Sequence, residues 1–483
     1  MDFDGSSLNL LTLKELFKKT EDVIFHHFEI QKIKLTFIFC EEMIDQQLIF
    51  SFILPTLEKH IEKANNSNEI KWLTLTLPDL KKIEKIDDIA SEVFTGKLIL
   101  FINDYQLLLS CNIAKKPNRK PEETKMEVLV KGPRDNFIEN IATNIALIRK
   151  RLPTKSLCVE KTIVGERSKT TVAILYIDDI ANKEILKEIK KQINNINTDI
   201  ILNGDSLMEH FKGKRWLMPW TNDTGRADFA IQSLVRGRFV ILVDGVSYAI
   251  ITPVNFPFLL KTGEDFEYPV LFGAFERIMR LIGVFMGISL PAFWLALTTF
   301  HPNQLPLQLL ATVVVSNRGL PFPAALEMII LLLMFEMFRE AGMRFPTAIG
   351  STISVVGGLI IGDAAIRAGI TSPAMLVIIA LSFVATFTIA NQSLLTIISI
   401  IRFIFIIITS FFGLFGFFLC IYLLILYLAN IRVFGVPYLN FAADLSWASL
   451  GKSLIRLSKN HYKQRPQMLR TTDNSRTSNE GKK

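Results

Sequence analysis

Asp363 and Arg367 stand four residues apart in "GGLIIGDAAIRAG" (357–369), an apolar stretch whose other distinctive members are glycines. On a helix this spacing puts a carboxylate and a guanidinium on one face, where they can pair. In hydrocarbon either charge alone would cost at least a few kcal/mol. Gly350, Ser354, Gly358 and Gly362 recur every four residues, with Gly357, Ala365 and Gly369 beside them. Each glycine costs an isolated helix roughly 1 kcal/mol relative to alanine, yet in a membrane such residues let helix backbones approach closely. The pattern predicts a ridge of small residues along one helix side. It would serve either packing within one chain or the lining of a pore between copies.

A second group of charges lies just upstream, at Glu327, Glu336, Arg339, Glu340 and Arg344. Glu327 and Glu336 fall roughly 900° apart around a helix, hence on opposite faces, and cannot form one acidic site on an unbroken helix. Glu336, Arg339 and Glu340 share a face and can neutralise one another. Both an interfacial anchor and an ion pathway fit that cluster.

Catalytic spacing is absent. "GERSKTT" (165–171) lacks the phosphate-loop spacing and runs into a strand instead of opening a helix, so its amides could not cradle a phosphate there. There is no metalloprotease, nucleophile-elbow or dinucleotide pattern. The acidic pairs Glu41/Glu42 and Asp178/Asp179 sit at strand-to-helix junctions, where compensation of the helix dipole is the expected role. The four cysteines (Cys40, Cys111, Cys158, Cys420) show no ligand spacing, and reduced thiols are expected with no disulfide or metal site. No cofactor is expected.

The elements that carry these residues divide the 483-residue chain in two. Up to about residue 268 the sequence is charged and globular in character; from 281 to 429 it is mostly apolar. The expected layout is a two-part α/β soluble region (1–120 and 121–268), a helical polytopic membrane region (269–430) and a basic tail (431–483) with a disordered end. The soluble halves resemble each other. "KLTFIFCEEMIDQQLI" (34–49) matches "TVAILYIDDIANKEIL" (171–186), and "GKLILFINDYQLLLS" (96–110) matches "GRFVILVDGVSYAII" (237–251). Two α/β units of similar plan follow, split near "KKPNRKPEET" (115–124), and a cleft between them could hold a ligand. In "EVLVKGPRDNFIENIATNIALIRKRL" (127–152), Asp135 is the expected N-cap of a helix. Ile138, Ile141, Ile145 and Ile148 form its buried stripe, and Arg149, Lys150 and Arg151 crowd its last turn.

Residues 281–300 are long enough to span roughly 30 Å, with a kink expected at Pro291. Residues 305–318 suit a re-entrant or interfacial helix, and further spans are expected at 347–368, 374–391 and 403–429. The acidic N-terminus has no basic segment followed by an apolar run, so the soluble region is expected in the cytoplasm. The net charge of +8 includes the tail after the last apolar run, which the positive-inside rule explains better than nucleic acid does. With both ends inside, crossings must be even in number: four plus re-entrant helices, with six the alternative.

Taken together, "KGPRDNFIENIATNIALIRKRL", "GERSKTTVAILYIDDIA", "LPFPAALEM", "FEMFREAGMRFPTAIGSTISVVGGLIIGDAAIRAGITSP" and "FGVPYLNF" resemble the GerA-type spore germinant receptor A-subunit family. Gly132, Pro133, Arg134, Asn144, Arg149 and Arg151 occupy its soluble-domain signature. Arg339, Glu340, Gly342, Arg344, Pro346 and Gly350 occupy its membrane signature. The resemblance implies a ring of A subunits, a pentamer, forming a nutrient-gated cation channel in the spore inner membrane. It further implies a transporter-like B subunit that senses the nutrient and a lipoprotein C subunit, with no enzymatic activity. The family pattern suits a neutral polar residue at position 363; Asp363 departs from it in a direction that favours cations. Two other readings stand beside it. Pro291 and the interrupted 305–345 region suit a secondary transporter with broken helices, and a non-conducting structural or signalling subunit fits the large soluble region.

Overall fold

The computed structural model describes residues 10–31, 33–64, 72, 75–83, 86–115, 135–211, 217–266, 268–344, 362–439, 465–473 and 475. The chain forms two compact units. The first comprises residues 1–214, 221–253 and 462–483, and the second comprises 215–220 and 254–461.

The first unit has two lobes with the same plan. Lobe one holds helix α1 (Leu10–Leu16), strands β1 (Val23–Ile30) and β2 (Ile33–Cys40), helices α2 (Gln46–Leu48), α3 (Leu54–Ala64) and α4 (Ile86–Phe94), and strands β3 (Lys81–Lys82), β4 (Lys97–Ile102) and β5 (Leu107–Asn112). Lobe two holds α5 (Ile141–Arg151), β6 (Leu157–Val164), β7 (Thr170–Ile177), α6 (Lys183–Asn194), α7 (Gly204–Glu209), β8 (Asn222–Thr224), α8 (Ala227–Val235), β9 (Phe239–Val243) and β10 (Ala249–Thr252). The sheets run β1-β2-β4-β5-β3 and β6-β7-β9-β10-β8, the same order twice. Every ladder is antiparallel. The paired sequence segments fall on corresponding elements, β2 with β7 and β4–β5 with β9–β10. Gly96 and Gly237 precede β4 and β9 at φ +93° and +89°, a left-handed turn that side chains resist.

Strand residues such as Phe37, Phe39, Leu98 and Leu100 fill the core of lobe one under α3. Ile38, Ile99 and Phe101 point to the other face, against α1 and α4. Period-two alternation on a sheet buried on both faces explains why these strands are apolar throughout. Helix α5 packs on α8 and also reaches Glu41–Met43, and its Ala146 joins the lobe-one core. It is the shared beam between the lobes.

The second unit is helical: α9 (Phe256–Leu259), α10 (Val270–Phe300), α11 (Leu307–Asn317), α12 (Ala324–Arg344), α13 (Pro373–Thr386) and α14 (Gln392–Asn430). Among the described residues two helices, α10 and α14, are long and apolar enough to cross a membrane. Pro291 sits buried inside the continuous α10. Helix α14 breaks at Gly413 (φ +59°, ψ −142°), where Phe300 presses against the missing Cβ. The span expected at 347–368 lies mostly outside the described residues.

Candidate functional site

A buried cluster of charges lies between the lobes. Arg149, at the end of α5, donates from Nε and Nη2 to the two Asp22 oxygens at 2.8 and 3.0 Å. Both side chains are 0% exposed. The Arg149 guanidinium also lies 4.0 Å from the centre of the Phe94 ring and donates to the Thr154 carbonyl. Beside it, Lys161 of β6 reaches Glu42 of lobe one at 2.8 Å, and the Lys161 amide donates to Glu21. At the rim Lys19 and Lys183 both pair with Asp178. Burial lifts the Glu42 carboxyl above its usual range, against the pull of Lys161. Burial, then Asp22 and Glu42, raises the Cys40 thiol well above its usual range, and Cys40 donates to both carboxylates.

Asp22, Cys40 and Glu42 lie close enough together to ligate a cation. The ions already present argue otherwise: Arg149 occupies both oxygens of Asp22, Lys161 holds Glu42, and the thiol is protonated. This is an ion-pair core joining two lobes. An open depression of about 380 Å³ lies elsewhere, between the β6–β7 turn and the end of α6, lined among others by Gly165, Glu166 and Asn197. "GERSKTT" forms that turn and enters β7.

Where they are described, the soluble signature residues make contacts within the first unit. Asn144 accepts from the Ile138 amide at 2.8 Å and donates to its carbonyl at 2.6 Å. That clasp holds Ile138 outside the helix, so α5 starts at Ile141 with Asn140 as N-cap. Asp135 therefore does not cap the helix; it pairs with Arg151 at 2.6 Å. The expected stripe holds at Ile141, Ile145 and Ile148. Of the acidic pairs, Glu42 and Asp178 meet lysines. Gly132, Pro133 and Arg134 lie outside the described residues.

In the helical unit Asp363 and Arg367 pair at 2.8 Å, both exposed. Glu336 and Arg339 pair at 2.7 Å, and Arg339 also donates to Ser399 of α14. Glu327, 3% exposed, accepts from the Thr371 hydroxyl at 2.6 Å and the Ser372 amide at 2.7 Å. It thus fastens the first turn of α12 to the start of α13, on a face away from Glu336. Glu340 lies in α12, and Arg344 is its last residue. A Cβ at Gly362 would meet Leu376 at 3.0 Å, a side chain of α13. Ala365 is buried. Gly369 has open space and φ +65°, and its amide bonds Ile366, so within this chain it ends a helical turn. Gly350, Ser354, Gly357 and Gly358 lie outside the described residues.

Three features escaped the sequence reading. Gly283 and Gly287 form a G-x-x-x-G step on α10, where an added Cβ would stand 2.5 Å from the Ala385 carbonyl or 2.8 Å from Thr386. That spacing in an apolar run was a legible packing signal. Arg402 is buried in α14, with Glu336 and Arg339 the charges around it; a lone arginine in "SIIRFIF" was its only sign. Asp265, just before α10, pairs with Arg277 and Arg280 at 2.7 Å each, and nothing local announces that triad.

One carboxyl in lobe two is set for a pH test. Burial, then the neighbouring Asp205 charge, pushes Asp223 of β8 up to about 7. The native carboxyl keeps its proton where the unfolded one loses it. Its ionisation penalty is therefore absent below about pH 4 and complete above about pH 7, so stability falls as pH rises through that window. Asp223→Asn is expected to stabilise lobe two at pH 8 by on the order of 2 kcal/mol and to flatten the dependence between pH 4 and 7. Thermal unfolding at pH 5 and pH 8 checks this; equal slopes in both proteins would refute it.

These features define a two-lobed antiparallel α/β unit followed by an apolar helical unit in which several charges pair. Residues 11–468 match the family described as Bacillus/Clostridium GerA spore germination protein. The chain is 40% identical over 445 residues to spore germination protein XA of Bacillus anthracis, covering 91% of this chain and 90% of that one. It is 31% identical over 474 residues to spore germination protein KA of Bacillus subtilis, covering 97% and 87%. Among solved structures, the N-terminal domain of the A subunit of the Bacillus megaterium spore germinant receptor GerK3 matches with TM-score 0.40 and 26% identity, covering 51% of this chain and 94% of that one. The chain belongs to the GerA spore germination family.

Proposed function

We propose that this chain is the A subunit of a spore germinant receptor. Copies of it assemble as a pentamer around a path that a bound nutrient opens to cations. The observation that carries this reading is the family match, which runs through the soluble and the apolar regions alike. The helical unit suits it: Glu327, Glu336, Arg339 and Asp363 are paired or hydrogen-bonded there, which lowers the cost of a charge in hydrocarbon, and glycines in α10 serve close helix contacts. The membrane region crosses the spore inner membrane several times, with the soluble unit and the tail in the cytoplasm. The B subunit, transporter-like, senses the nutrient, and the lipoprotein C subunit completes the complex. Segment 350–367 lines the path, with Asp363 near its end attracting cations. The chain acts by shifting a closed-to-open equilibrium, without catalysis.

The test is thiol accessibility. Cys420 is replaced, single cysteines are placed from Gly350 to Arg367, and germinant-triggered cation release from spores is followed with and without a charged thiol reagent. Block along one helical stripe, by tenfold or more, is expected. Unchanged release at every labelled position, with protein levels held, would leave the segment to packing and favour a non-conducting subunit.

A further inference from the structure

The two lobes differ in what closes them. In lobe one the chain following β5 turns back over the junction after β2. Ala114 bridges to Ile44, the Lys115 amide donates to the Met43 carbonyl at 3.0 Å, and the Asp45 amide donates to the Ile113 carbonyl at 3.0 Å. A Cβ on Gly96 would meet the Ala114 methyl at 2.8 Å. Gly96, lacking one, leaves the seat for that methyl.

Lobe two has the same seat. By the internal match Met43, Ile44 and Asp45 correspond to Ile180, Ala181 and Asn182, and Gly96 corresponds to Gly237. The chain after β10, however, leaves the lobe at Pro253 for the second unit. The seat is taken by residues more than two hundred positions later. The Thr472 amide donates to the Ile180 carbonyl at 3.0 Å, the same bond that Lys115 makes to Met43. The Thr472 hydroxyl donates to the Ala181 carbonyl at 3.2 Å, and the Asn182 amide group donates to the Arg470 carbonyl at 3.1 Å. The Thr471 methyl lies over Gly237, where Ala114 lies over Gly96. Leu469 and Thr471 are buried there. Arg465 donates to the Val235 carbonyl at 3.1 Å and pairs with Asp473 at 2.6 Å, which closes the segment on itself.

We propose that the groove formed by Ile180–Asn182 and Gly237 is a peptide-binding site, and that Arg465–Asp473 of this same chain, with its 3-10 turn at Gln467–Leu469, is its ligand. The tail, expected from sequence to be only a basic extension with a disordered end, is in this part a clasp. It completes lobe two. A short strap held by a few backbone bonds can open without unfolding the lobe, since each such bond adds little net stability and local openings lie far below global unfolding. Because the ligand is tethered, its rebinding is intramolecular and a peptide in solution competes poorly while the tail is seated. The groove recognises backbone and a small methyl-bearing side chain over the glycine. Main-chain bonds hold the peptide, and the space over Gly237 selects the side chain.

The experiment uses the full-length protein in detergent and limited trypsin. Thr472→Pro removes the amide that bonds Ile180 and leaves the lobe's own residues unaltered. Cleavage after Arg470 is expected to accelerate at least tenfold, while cleavage within Arg167–Lys191 keeps the wild-type rate. Thr472→Ala, which loses only the hydroxyl bond, is expected to accelerate it about threefold. A labelled peptide of residues 465–475 is expected to bind the Thr472→Pro protein at least tenfold more tightly than it binds wild type, and more tightly than a scrambled peptide. Equal cleavage after Arg470 in wild type and Thr472→Pro overturns the proposal. So does equal binding of the peptide to both proteins, which would mean that the wild-type groove is not held by its tail.

Discussion

Arg149→Ala is expected to destabilise the two-lobed unit by about 3–5 kcal/mol, the cost of leaving one partner of a buried ion pair uncompensated. Asp22 has no exposed surface and would be left beside Glu42 and Cys40 with its bidentate partner gone. Arg149→Lys should recover little, because an ammonium neither forks across two oxygens nor stacks flat on Phe94. Replacing both members, Asp22→Leu with Arg149→Met, should restore most of the loss, since a well-packed apolar pair can match a buried salt bridge. Cys40 supplies the readout. Its thiol is buried and held protonated, so it should resist a thiol reagent in the native protein and react much faster in Arg149→Ala. A loss under about 1 kcal/mol in chemical denaturation, with Cys40 still protected, would remove the ion pair from any structural role.

The second large effect is expected at the entrance to α10. Asp265 is 0% exposed and faces Arg277 and Arg280, with the Thr262 hydroxyl donating to it at 2.9 Å. Burial opposes its ionisation, but the two arginines prevail and hold the carboxyl below its usual range. Its contribution is therefore present above about pH 4 and lost as pH falls below that range. Asp265→Ala takes the carboxylate from both guanidinium groups and should cost on the order of 3 kcal/mol. The loss should be local. Hydrogen exchange in residues 256–266 and in the first two turns of α10 should accelerate a hundredfold or more, while β7 and β9 keep their protection. Unaltered exchange at the start of α10 would show that the triad does not anchor the helix.

Much of this was readable in advance because it depends on spacing along the chain. The doubled strand–junction–helix pattern located β2 with β7 and β4–β5 with β9–β10, since period-two apolar runs and left-handed glycines are local properties. The Asp363–Arg367 and Glu336–Arg339 pairs follow from helical periodicity alone. The separation of Glu327 from Glu336 follows from it too. The start of α5 was misplaced at Asp135, because the choice between two good capping residues was made by the Asn144 clasp on Ile138.

By itself, then, the sequence determined the contrast between a charged and an apolar stretch, the repeated strand pattern, the short-range ion pairs and the family. Only the tertiary structure decided which charges meet at long range. Arg149 finds Asp22 127 positions away, Glu327 finds Ser372 across 45, and Thr472 closes a lobe that ended far upstream. Periodicity fixes the face on which a residue stands. What that face meets depends on which elements pack together, and closing a long loop costs so little more than closing a short one that distance along the chain discriminates weakly among partners.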